Sequence, residues 1–90
     1  MSSETRAPLA VALHYNGKGA PRVVAKGRGR VGARILEAAE AHGVPMERNP
    51  ALAEALSRVE LEEEIPAPLY VAVAEILGFL MRASGGLPKS

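Results

Sequence analysis

Leu9-Ala-Val-Ala-Leu-His-Tyr-Asn-Gly-Lys-Gly-Ala-Pro-Arg-Val-Val-Ala-Lys26 is the stretch on which the fold turns. Leu9 to Leu13 is a continuous apolar run, too short for a stable helix, and it meets a turn signal at Asn16-Gly17. Such a run reads as a strand. Asn16-Gly17-Lys18-Gly19 reaches positive φ at little cost, which makes it a hairpin-type connection. Arg22 to Lys26 then reads as a second strand, antiparallel to the first.

Beyond Gly27 the period changes. Val31, Ile35, Ala38, Ala39 and His42 recur at helical spacing, with Arg30, Arg34, Glu37 and Glu40 mostly elsewhere on the wheel. Gly43 suits the left-handed residue that ends a helix, and Pro45 stops continuation. Val44 to Glu47 is expected to form a short third strand, and the helix before it would make a β-α-β crossover with parallel strands. Asn49-Pro50 opens a second helix, with Asn as cap and Pro at the first helical position. Leu52, Ala55, Leu56 and Val59 form its buried stripe, and Glu54 and Arg58 make an i,i+4 pair. The acidic stretch Glu60 to Glu64 reads as a connector. A third helix, from about Pro66 to Ala83, carries the stripe Leu69, Val73, Ile76, Leu77 and Leu80, and Gly85-Gly86 ends it. The expected class is α/β (α+β), a small mixed sheet of about three strands covered by three helices. Residues 8–84 form the domain, with flexible tails at 1–7 and 85–90.

Composition narrows the function. The chain has 90 residues, enough for one small domain. Hydrophobic residues make up 48% but aromatic ones only 3%, so Ala, Val and Leu must build the core. With no cysteine, disulfides, thiolate metal sites and cysteine nucleophiles are excluded together. His14 and His42 supply at most half of a tetrahedral zinc site, so no metal and no cofactor is expected. No apolar run reaches the roughly 20 residues that span a bilayer, and Met1 to Ala7 has no signal-peptide core. The expected location is the cytoplasm.

The order of several blocks carries a resemblance. Ala10 to Tyr15, Ala20-Pro-Arg-Val-Val-Ala-Lys-Gly27, Ala33 to Ile35, His42 to Pro45, Asn49 to Leu56, Ile65-Pro66 and Leu69 to Leu77 together resemble the cytoplasmic domain of the FlhB/YscU family of type III export switch proteins. The resemblance covers roughly residues 9 to 82. It implies a domain that follows a membrane-embedded half and cleaves itself within an Asn-Pro-Thr-His motif. The matching positions are Thr5, Arg6, Ala7 and Pro8, and none of the four agrees. The chain is therefore expected to be a stand-alone, non-enzymatic relative without the membrane half and without self-cleavage. The resemblance also implies an apolar patch that recognises export substrates, matching Ala20, Pro21, Ala74 and Leu77. The helical pattern leaves Leu77 at the edge of the buried stripe, so core and surface roles are both open for it. The implied partners are export-apparatus proteins or export substrates, with membrane association only through them, in a flagellar or other type III secretion system. The implied role is that of a module in its substrate-specificity switch.

Three other patterns compete. Gly27-x-Gly29-x-x-Gly32 follows a strand and opens a helix, with Glu47 downstream, as a dinucleotide fingerprint requires. That fold, however, needs a larger parallel sheet with helices on both faces. The run Lys18, Arg22, Lys26, Arg28, Arg30 and Arg34 has no acid within it. It is the basis of the alternative function, a basic phosphate- or nucleic-acid-binding module, with Lys18, Arg22, Arg28 and Arg30 as its surface. Nucleic acid is the less favoured partner, since only Tyr15 stands near as a stacking aromatic. Asn49-Pro50 reads as a helix cap rather than a cleavage site. Finally, an edge near Leu9 to Leu13 is expected to be exposed and able to pair with another chain, which leaves monomer and dimer both open.

Overall fold

The computed structural model describes the backbone of residues 8–83 and the side chains of residues 8–78. The expected tails, the Gly85-Gly86 stop, Ser84 and the side chain of Leu80 lie outside these limits. The elements are β1 (Leu9–His14), β2 (Arg22–Arg28), α1 (Gly29–Ala41), α2 (Pro50–Leu56) and α3 (Ala67–Ala83). The α+β class, three helices on a small sheet, is the architecture observed.

β1 and β2 pair antiparallel, from Leu9 opposite Arg28 to His14 opposite Arg22. Between Ala12 and Leu13 the partner jumps from Ala25 to Val23, so Val24 is the extra residue of a β-bulge. A bulge bends its strand and re-aims the side chains beside it.

The third pairing segment is not Val44 to Glu47. Residues 44–49 form neither helix nor strand, and Val44 and Met46 are exposed. It is the acidic connector that adds to β2 instead. Val23 N–H donates to Glu63 O at 3.1 Å, Glu62 N–H to Val23 O at 2.7 Å, and Ile65 N–H to Pro21 O at 2.9 Å. A single antiparallel bridge joins Arg22 to Glu64. Both pairings are thus antiparallel, and the expected parallel crossover is absent among the described residues. Backbone groups made this choice: the glutamate side chains stay in water while their amides and carbonyls satisfy the open edge of β2.

Alternation along the strands gives the sheet two faces. Val11, Leu13 and Val23 lie on one face, where Val23, Leu56, Ile65 and Val73 form the buried cluster. Leu52, Val59, Leu69, Tyr70 and Leu77 pack around it. Each fully buried Val or Leu contributes roughly 1.5–3 kcal/mol. α1 packs on both strands from the opposite face.

The helix limits follow the sequence signals closely. Asn49 Oδ1 accepts the Leu52 amide at 3.1 Å and Pro50 stands at the first position of α2. α1 ends with Gly43 at φ 68, while Gly43 N–H donates to Glu40 O and Val44 N–H to Ala39 O. This is the Schellman pattern, and it folds Val44 back on the last turn. The buried stripe of α1 is displaced from expectation. Val31 is 54% exposed, whereas Gly32 is the buried residue of the helix. A Cβ on Gly32 would lie 2.5 Å from the Pro8 carbonyl oxygen and 2.8 Å from that of Gly27. The helix approaches the sheet through its glycine, and the neighbouring valine is turned aside.

Candidate protein-interaction site

The patch residues come from two distant parts of the chain, and the core brings them to one side of the molecule. Ala20 ends the hairpin loop, half-buried, and packs on the Val23–Leu56–Ile65–Val73 cluster. Leu77, on α3, packs on the same cluster. Ala74 is exposed beside it on the helix surface. Pro21 does not lie on the surface: it is among the most fully buried side chains, and its carbonyl accepts the Ile65 amide. Of the four residues in the patch that the resemblance implies, Pro21 thus belongs to the interior. Its fixed φ sets the entry into β2 and its ring fills core space beneath Ala20.

Tyr15 and Tyr70 join this side of the molecule. Tyr70 precedes Ala74 by one helical turn on α3, and Tyr15 follows β1, 42% exposed. The Tyr70 phenol, first by a side-chain hydrogen bond and then by charge repulsion, raises the Tyr15 pKa above its ordinary 10.0. A hydrogen bond to the neutral hydroxyl has this sign. The pairing has no sequence signal, because the two tyrosines are far apart in the chain and only docking of α3 on the hairpin joins them.

The basic residues do not converge on a single site. Arg28 Nη2 donates to Glu54 Oε2 at 2.7 Å, an exposed ion pair between β2 and α2. Lys26 Nζ donates to Ser57 O at 2.9 Å and Val59 O at 2.7 Å. It caps the end of α2, where carbonyls lack helical partners and a cation is favourable. Arg30 is exposed on α1. Lys18 and Arg22 line a small polar pocket with His14, Asn16, Ala20 and Glu64.

The glycine pattern has a packing explanation. Gly29 has φ 62 and its amide donates to Pro8 O at 2.9 Å, so one of the free amides at the start of α1 is already bound. Gly32 permits the close approach to Pro8 and Gly27. Glu47 is exposed in the irregular segment after α1. No group of three or more metal-ligating side chains occurs among the described residues. No helix there is long and apolar enough to cross a membrane.

Comparison with known proteins agrees with this geometry. The profile described as the FlhB HrpN YscU SpaS Family matches residues 7–80. YlqH of Bacillus subtilis, an uncharacterized protein, is 38% identical over 84 residues, covering 91% of this chain and 90% of YlqH. The flagellar biosynthetic protein FlhB of Aquifex aeolicus is 46% identical over 76 residues, covering 81% of this chain but 22% of FlhB. The chain thus spans about a fifth of that longer relative. The crystal structure of the cytoplasmic domain of FlhB from Shewanella putrefaciens superposes with a TM-score of 0.75 at 28% identity. It covers 93% of this chain and 79% of that one.

Proposed function

This chain belongs to the FlhB HrpN YscU SpaS family, and on that premise we propose that it is a protein-interaction module of a flagellar or other type III export apparatus. It works without self-cleavage, at the cytoplasmic face, by binding export substrates or subunits of the export gate. The observation that carries this reading is the gathering of the patch. Ala20 and Leu77 rest on one buried cluster, Pro21 fixes the backbone beneath, and Ala74 and Tyr15 are exposed alongside. Small side chains over a rigid floor form a shallow apolar surface, suited to a partner's protruding apolar side chain.

The test is a pull-down of export-gate subunits and early export substrates on the immobilised full chain. Enrichment is expected over an unrelated basic domain. It should fall about tenfold with Ala74→Glu, because a charge at a contact centre is strongly penalised. Equal recovery on the unrelated domain, with normal secretion after deletion, would sink the proposal. Absence of self-cleavage is checked separately: the purified chain is expected to show one intact mass under denaturing conditions. The basic-surface alternative is not favoured, since Arg28 is paired with Glu54 and Lys26 is spent on α2.

A further inference from the structure

On the face opposite the buried cluster, the sheet and α1 enclose an open apolar groove of about 340 Å³. Its floor is made of small residues, Ala12 and Ala25. Its walls are Ile35 and Ala39 of α1, with Val24 and Val44 at the lips. Two local devices build those lips. The bulge makes Val24 the unpaired residue of β2, and the Schellman pattern sets Val44 against the end of α1. Val24 is 40% and Val44 51% exposed, so the groove presents apolar surface to water.

His14 lines this groove and also the polar pocket of about 170 Å³ beside it. That pocket holds Lys18 and Arg22, with Glu64 as its one carboxylate. Asn16 Oδ1 accepts the Lys18 amide at 3.0 Å, which fixes the turn carrying Lys18. The two depressions therefore meet at a single side chain, apolar on one side and cationic on the other.

We propose that this joined surface binds an extended segment of a partner protein, with two or three apolar side chains followed by acidic residues. The apolar side chains enter beside Val24 and Val44, and the carboxylates face Lys18 and Arg22. Charge complementarity selects this occupant, because a purely apolar segment leaves the two cations unused. The groove is distinct from the Ala20–Leu77 patch: it lies on the α1 face, whereas the patch rests on the α2–α3 side. The joined surface shares with the patch only Ala20, which also lines the polar pocket.

The test is a titration of the isotope-labelled full chain with N-acetyl Leu-Val-Leu-Asp-Glu, followed by amide chemical shifts. Saturable shifts are expected at Val24, Ala39 and Val44 and also at Lys18 and Arg22. A peptide with Lys-Lys in place of the acids, and one with Ser-Gly-Ser in place of the apolar residues, should each bind at least about fivefold more weakly. Val24→Glu is expected to weaken binding about tenfold; if that variant melts, Val44→Glu, outside every helix and strand, makes the same test. Arg22→Glu should abolish the preference for the acidic peptide over the lysine one. Equal binding of all three peptides, no saturable shift, or shifts confined to other residues would overturn the proposal. So would the same amides shifting when the chain alone is diluted, with a dimer in sedimentation, since the occupant would then be a second copy.

Discussion

The two faces of the sheet are packed by different means. On the α2–α3 side, branched side chains meet end to end: Val23, Leu56, Ile65 and Val73 leave almost no surface to water. On the α1 side the contact is made by small residues. Gly32 is buried against the carbonyls of Pro8 and Gly27, and Ala10 is buried while Val31 and Leu36 are not. Small residues bring backbones close at one end of the helix, but they supply no bulk to fill the other. The groove beneath the last turns of α1 is the result. Stability is thus concentrated on one face, and surface available for binding is left on the other.

The contrast is broken most directly by truncation. Leu56→Ala is expected to cost about 3 kcal/mol, through lost transfer energy and a cavity in the cluster. Leu36→Ala, on α1, should change stability by less than about 0.5 kcal/mol. Urea denaturation of both variants checks the pair, and equal losses would remove the distinction between the faces. The next effect is at the tight end of α1. Gly32→Ala should destabilise by about 2 kcal/mol, although Ala is the better helix former, because its methyl meets two backbone carbonyls that cannot rotate away. A gain in stability would show that α1 is free to shift.

Lys26→Met keeps much of the stem and removes the ammonium from the Ser57 and Val59 carbonyls. A loss of about 1.5 kcal/mol is expected in thermal melts, since two partly buried acceptors lose a charged donor. The smallest effect concerns the tyrosine pair. Tyr70→Phe leaves Tyr15 as the only tyrosine, so phenolate absorbance reports it alone. Its midpoint should fall back toward 10.0. The sign for stability follows from the raised value in the fold. The contribution is fully present below pH 10.0 and is lost as pH rises through the folded pKa. An unchanged midpoint would mean that Tyr70 does not act on Tyr15.

Much of this was legible from local chemistry. The hairpin follows from an apolar run ending in Asn16-Gly17, the start of α2 from Asn49-Pro50, and the end of α1 from Gly43. Each is a short-range signal whose physical cause lies within a few residues. What escaped depends on distance. Glu62 to Ile65 pairs with β2 through backbone groups, which residue type does not reveal, while Val44 to Glu47 had the composition of a strand but the open edge of β2 is taken by Glu62 to Ile65. The α1 stripe was displaced because a periodicity reading rewards bulk, and close approach rewards its absence at Gly32. Within the site, Ala20, Ala74 and Leu77 were nominated by resemblance. The burial of Pro21 and the meeting of Tyr15 with Tyr70 needed the tertiary arrangement.

The pairing of Glu62–Ile65 with Pro21–Val23 also has a consequence for the order in which the chain folds. The hairpin and α1 involve neighbours in sequence and close quickly, whereas this pairing closes a loop of about forty residues, at a larger entropic cost. Little early gain offsets that cost, because Ile65 and Val73, which complete the cluster around Val23, come from the far end of the loop. We expect the hairpin with α1 to form before the transition state and the docking of α2 and α3 to coincide with it. Mutations along α1 should then mainly slow folding, and mutations at Ile65 should divide their effect between the folding and unfolding rates.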